Sequence, residues 1–326
     1  MTPIKQGLSR TAFITLLLLA CMFGANHVAA RLAFNHGLDV ATAVAVRSLV
    51  TAGVVTLLLW LPRRLRRRGA APKATSVIAA NNEGHAARER GGPVTPRQRR
   101  YLLGISTLVA VQSLCLYAAV ARLPVALALL TFNTYPLWTA GFAWLLYRHQ
   151  PERAVLIAMP VLLAGLALAL DVLGAASGLG AAGQWSRIGA GVAFALTAAA
   201  VFGAALVLTQ HEVAAVDGRV RTAVTMGLVG LLALGGVALQ GGFHLPTAAA
   251  GWWGLALLTF FYGTAFTIMF TLLPKLGVVG SSPIMNVEPV AALVLAWALL
   301  GQTIAPVQVA GALVVVGTVM ALGLRK

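Results

Sequence analysis

A chain of 326 residues that is 59% hydrophobic and only 10% charged, with a mean hydropathy of +0.87, falls outside the range of a soluble domain, where about 25% of residues are charged. Its net charge of +16 invites a nucleic-acid partner, but eleven of the 24 Lys and Arg lie in one segment between apolar runs, Arg63 to Arg100, and that placement argues against one. Two cysteines, both inside apolar runs, and six scattered histidines provide no disulfide framework, metal site or cofactor site.

Runs of about twenty apolar residues recur along the chain, the length that crosses a bilayer as an α-helix. Ten are predicted, at about 12–34, 41–61, 101–121, 124–147, 154–173, 188–210, 220–241, 250–273, 278–300 and 304–324. They show no period-two alternation, so the expected class is an all-α polytopic membrane protein and not a porin-like barrel. The N-terminus, with basic residues, an apolar core and then His27-Val28-Ala29-Ala30, resembles a signal peptide. The length of that core, and the match of Phe23-Gly24-Ala25 to Phe202-Gly203-Ala204, keep it as an uncleaved helix. Between the second and third runs, 62–100 is basic, rich in Gly and Pro and without periodicity. It is predicted to be disordered, and reads either as a topology signal or as an anchor to anionic lipid headgroups. The Gly-, Ala- and Ser-rich stretch Gly174 to Arg187 is predicted to be a flexible connector.

Positive charge sets the expected orientation. With the N-terminus inside, the inner connections and C-terminus hold the 63–100 cluster, Arg148, Arg153, Arg219, Arg221, Lys275, Arg325 and Lys326. The outer connections hold Arg122 and Arg187. The bias predicts both termini in the cytoplasm.

One stretch is written twice. Residues 117–145 and 270–298 align at a shift of 153, placing Arg122 over Lys275, Asn133 over Asn286 and Pro136 over Pro289. The implied halves are 12–173 and 188–324. Five helices per half is an odd number, so the repeats are inverted, an arrangement common in transporters. At the centre of the repeat Tyr135 faces Glu288.

Glu288 is the strongest candidate site residue, because no other acid lies near the middle of a predicted span. A charge there costs roughly 2.5–3.5 kcal/mol to insert, so it should face the bundle interior or a wet cavity. It can pair with a cationic group on a substrate, carry a coupling proton, or serve as a structural acid between helices. Pro136 and Pro289 break their helices and free the carbonyls of Phe132 and Met285. Asn133 and Asn286, three residues earlier, either satisfy those carbonyls or bind a polar substrate group. Ser281, Met285 and Glu288 share one face at i, i+4 and i+7. Aromatic residues gather at this depth: Phe132, Tyr135, Trp138, Phe142, Tyr262 and Phe266. They read either as packing or as pocket walls, with Tyr135 favoured for the pocket. Phe23, His27 and Arg31 share a face toward the outer end of the first span. Arg47, deeper than snorkelling needs, is matched with Asp171 as a predicted outer gate. No HExxH, GxSxG or phosphate loop is present, so no enzyme is predicted.

The two five-helix halves, the pair TFNTYPLWTAGFAWLL and MNVEPVAALVLAWALLGQ, and a Gly-rich last helix together resemble the EamA-type drug/metabolite transporters. The resemblance implies a cavity between the halves, alternating access, and export or exchange of small metabolites, often amino acids or related compounds. Asn286, Glu288 and Pro289 then fall on a cavity-lining helix. The sequence departs from the family at His149 and Gln302, where members commonly carry Glu. The resulting expectation is a secondary transporter of the plasma (bacterial inner) membrane. Its partners would be a small-molecule substrate and membrane lipids, with proton coupling and a homodimer both open. Multidrug efflux of lipophilic cations is the alternative, and a non-transporting sensor or scaffold is the alternative of another class.

Overall fold

In a bilayer every backbone N–H and C=O must be satisfied internally, which leaves the helix as the default for each apolar run. The computed structural model of the protein describes residues 10–68, 94–149, 153–174, 177–271, 288–302 and 305–324, and all regular structure among them is helical. In chain order the helices are α1 (Arg10–Phe34), α2 (Val40–Arg68), α3 (Pro96–Arg122), α4 (Val125–Phe132), α5 (Tyr135–Tyr147) and α6 (Arg153–Ala169). The second half contributes α7 (Gly180–Glu212), α8 (Gly218–Leu239), α9 (Ala249–Thr271), α10 (described over Glu288–Leu300) and α11 (Pro306–Leu324). Among the described residues, Phe13–Phe34, Val40–Trp60, Pro96–Arg122, Gly180–Glu212 and Gly218–Leu239 are long and apolar enough to cross a membrane on their own. Helices α4 and α5 make the fourth span together.

The helices pack mainly across the halves. Helix α1 lies on α9 and α10, α2 on α8 and α9, α3 on α7 and α8, α4 and α5 on α7, α4 on α10, and α6 on α11. Counting α4 and α5 as one span, this pairing is unchanged when each span is exchanged for the one five places on. Two glycines show the symmetry at atomic scale. A Cβ on Gly24 would sit 3.0 Å from the Glu288 carbonyl oxygen and 3.1 Å from the Ala292 nitrogen. A Cβ on Gly203 would sit 2.8 Å from the nitrogen of Thr139, the repeat mate of Ala292. Absent side chains at these points let α1 and α7 approach α10 and α5 backbone to backbone.

Polar stitches join the halves at both ends. At one end the Asp39 carboxylate accepts from the Thr42 N–H (3.0 Å), as an N-terminal cap of α2, and from the His244 N–H (3.3 Å) of the α8–α9 loop. Burial opposes the charge of Asp39, but hydrogen bonds from Thr42, Gln240 and His244 outweigh it and hold the carboxyl below the usual Asp range. At the opposite end Arg97 Nη2 reaches Glu212 Oε2 at 3.1 Å, and Thr95 closes a capping box with Gln98 ahead of Pro96.

Three sequence expectations change. The segment 62–68 continues α2 as helix instead of starting the basic loop, and 69–93 lies outside the described residues. The fourth span is interrupted at Asn133 and Thr134, because Pro136 cannot donate to the preceding turn. The connector after Gly174 is a hydrogen-bonded turn where described, not a free linker. Asp171 accepts from the Ser177 N–H at 2.8 Å, Gln184 donates to the Leu170 carbonyl at 3.0 Å, and α7 begins at Gly180.

Two outcomes follow. A methyl at Gly311 runs into the Ala169 nitrogen and the Gly165 carbonyl, whereas Gly317 has open space around it. Gly311→Val should therefore cost about 1–3 kcal/mol in detergent unfolding, and Gly317→Val should be near neutral. The depressed Asp39 carboxyl contributes stability above its unfolded range and loses that contribution as pH falls through its folded value. Asp39→Asn should lower the melting temperature at pH 7 and have less effect near pH 3.

Candidate functional site

The polar residues inside the bundle converge from five helices. On α1, Phe23, Asn26 and His27 share one face, and Asn26 and His27 are buried. On α3, the Tyr117 hydroxyl donates to Asn26 Oδ1 at 3.0 Å, and its ring lies 5.5 Å from that of His27. On α2, Arg47 is 1% exposed and its guanidinium lies between two rings, 3.8 Å from the Tyr262 centroid and 4.4 Å from that of Tyr117. Such stacking is among the few ways an apolar interior accommodates a guanidinium. Tyr262, on α9, donates to Met226 Sδ at 3.4 Å and packs on Phe266 and Phe23.

Glu288, on α10, faces this group. Its Oε1 lies 3.5 Å from His27 Nε2. Its side chain keeps 25% of its surface accessible although protein surrounds it, whereas the His27 side chain keeps 7%. Part of this deep side chain is therefore within reach of a water-sized probe. Tyr117 and Tyr135 both lie within the electrostatic reach of Glu288. Beside it the break in the fourth span holds an aromatic cluster, with Phe132, Tyr135 and Phe202 5.2–5.7 Å apart between ring centres.

Several buried polar atoms here have no hydrogen-bond partner among the described residues: Asn26 Nδ2, His27 Nδ1, Arg47 Nε and Nη1, Ser48 Oγ and Asn133 Nδ2. Each such atom costs about 1–3 kcal/mol if left unpaired. Their grouping marks a place built for polar contact and not for dry packing.

Of the residues singled out in the sequence, Glu288, Tyr135, Tyr262 and Arg47 line this region. Asn133 is buried at its edge but does not cap the Phe132 carbonyl. The Thr134 hydroxyl instead serves the Thr131 carbonyl at 2.8 Å. Pro136 sits in the first turn of α5, and Pro289 is buried in α10. Ser281 and Asn286 lie outside the described residues. The Arg47–Asp171 pair is not formed. Arg47 is held by rings of α3 and α9, while Asp171 accepts from Ser177 in the turn after α6. Helical geometry buries Arg47 one turn deeper than a gate at the surface would need. Asn26, His27, Tyr117 and Phe202 received no site role from the sequence. The signal for His27 was its position two turns inside the outer end of the first span, where an ionisable group is already costly.

Gln302 explains one departure from the family pattern. Its Oε1 accepts from the Val125 N–H at 3.1 Å, seating the turn between α3 and α4 with an amide oxygen where a carboxylate is usual.

A duplicated bundle of membrane-spanning helices, closed around polar groups at mid-depth, is the architecture of a membrane transporter. The EamA-like transporter family model matches residues 10–170 and 189–324. The chain belongs to this family, part of the drug/metabolite transporter superfamily, and is a multi-pass membrane transporter and not an enzyme. Membership also decides against the scaffold reading. One crystal structure of a protein matches with a TM-score of 0.56 and 17% identity over 97% of this chain and 98% of that chain, a likeness of fold alone. No curated protein matches.

The stacking of Arg47 can be checked directly. Arg47→Lys keeps the charge but loses the planar face, and should cost about 2 kcal/mol in detergent unfolding. Tyr262→Phe keeps the face but loses the hydroxyl that also bonds the guanidinium, and should cost about 1–3 kcal/mol.

Proposed function

We propose that the protein is a secondary transporter that exports or exchanges a small organic metabolite, an amino acid or related compound, by alternating access. The observation that carries this reading is the partly accessible Glu288 side chain, 3.5 Å from His27 and set among aromatic rings and buried polar atoms that have no partner among the described residues. A cationic group on the substrate would meet Glu288, and the rings of Tyr135, Phe132 and Phe202 would hold its apolar part. Asn133 and Tyr262 complete the proposed set, with Asn286 and Ser281 from outside the described residues. Arg47, fixed in the same chamber, weighs against a bare lipophilic cation and for a substrate that also carries an acceptor.

Glu288 and His27 also form a proton-exchanging pair by chemistry, and proton coupling through Glu288 belongs to this reading. The charge bias supports both termini on the cytoplasmic side of a plasma membrane. The Arg122 end then faces outward, and anionic headgroups are the lipid partner that the positive charge of the 62–100 segment would attract.

Reconstituted into proteoliposomes and screened over amino acids, sugars and cationic dyes with and without a pH gradient, the wild type should move an amino-acid-like substrate. Glu288→Gln should lose about tenfold or more of that rate and its response to the gradient. Normal transport of every substrate by Glu288→Gln at all pH values would remove Glu288 from the site.

A further inference from the structure

A cavity lies at the Arg122 end, apart from the Glu288–His27 contact. Its volume is about 370 Å³, within the range of small-molecule sites. Both halves wall it, and its charged lining is Arg31, Arg122, Arg187 and Asp171. Arg31 follows His27 by one turn of α1, so the cavity lies about 6 Å farther along the helix axis.

Three guanidinium groups against one carboxylate leave an excess of positive charge in a partly enclosed space, which focuses potential on an anion. A purely structural role covers part of this. Arg31 Nη1 donates to the Val120 carbonyl at 2.8 Å and Arg122 Nη1 to the Ala118 carbonyl at 3.0 Å, so both satisfy carbonyls at the end of α3. That role uses one nitrogen of each fork. Arg31 Nε is buried without a partner among the described residues. Arg122 is further fixed 4.8 Å over the Phe194 ring. Two of the three guanidiniums are thus held in place with donors to spare, an arrangement suited to a planar or tetrahedral oxyanion. Asp171 lies on the opposite side of the balance, accepting from the Ser177 N–H.

We propose that this cavity is a binding site for a small soluble oxyanion, a carboxylate- or phosphate-bearing molecule, recognised by Arg31, Arg122 and Arg187 and weakened by Asp171. It is separate from the substrate chamber and is measured at equilibrium without transport, so it stands or falls independently of that reading.

The test is calorimetric titration of the full-length protein in phosphatidylcholine nanodiscs at low ionic strength, with inorganic phosphate, succinate and, as a cation control, choline. Saturable binding of phosphate or succinate and none of choline is expected. Arg122→Gln/Arg187→Gln, two exposed positions, should weaken binding about tenfold or more. Asp171→Asn should tighten it about threefold or more. Asp171 has φ 48°, a conformation Asn tolerates, and a gain of affinity cannot come from misfolding. Absence of saturable anion binding, or equal affinity in wild type and both variants, would overturn the proposal. So would anion-dependent stabilisation that appears only with phosphatidylglycerol discs and never with the free anions, since the group bound would then be a lipid headgroup.

Discussion

The contact on which the rest of the structure depends is that of Glu288 with His27, 3.5 Å apart between α10 and α1 in the interior of a membrane protein. An ionisable group at that depth must find a partner or water. Glu288 has a histidine on one side, and part of its side chain remains accessible. The close approach of α1 to α10 is possible because residue 24 is glycine, with the Glu288 carbonyl where a side chain would otherwise begin. Sequence, packing and chemistry therefore meet at one crossing. A bulky residue at position 24 would move the helices apart and take the carboxylate from its partner.

The pairing of spans is symmetric, but the chemistry at the two equivalent crossings is not. Gly203 on α7 meets α5 as Gly24 meets α10, but Phe202 packs on Tyr135 and Phe132 of its own crossing whereas Phe23 packs on Tyr262 and Phe266 of α9. Where one crossing holds Glu288, the other holds Tyr135. Duplication supplies two matched frames that can exchange roles during alternating access. Divergence at a single pair of positions places the titratable group on one side only. Arg47 adds a fixed cation to the same interior, stabilised by rings instead of a carboxylate, so the interior holds an acidic and a cationic side chain without a direct bond between them.

Much of this was legible in the chain. Twenty-residue apolar runs dictate helices because lipid offers the backbone no partners, and the repeat around Asn133 and Asn286 reveals the duplication without any structure. Glu288 announced itself by its cost. What was not legible depended on contacts between distant segments. The depth of Arg47 follows from where Tyr117 and Tyr262 meet, which no local pattern encodes. The break at Asn133 follows from Pro136, but that the Thr134 hydroxyl bonds the Thr131 carbonyl while Asn133 Nδ2 finds no partner among the described residues depends on rotamers. The Gly-rich link reads as flexible, yet Asp171 and Gln184 bind it through hydrogen bonds that composition alone does not display.

The account's central claim is that Glu288 faces a water-filled chamber that the substrate occupies. Replacing both native cysteines, Cys21 and Cys115, which are free thiols, and introducing Glu288→Cys gives one reporter thiol at the site. Its reaction with a small hydrophilic methanethiosulfonate measures directly whether water reaches that position. Reaction at a measurable rate is the predicted result. A thiol that resists the hydrophilic reagent and yields only to a membrane-dissolved maleimide would place position 288 in hydrocarbon and contradict the account.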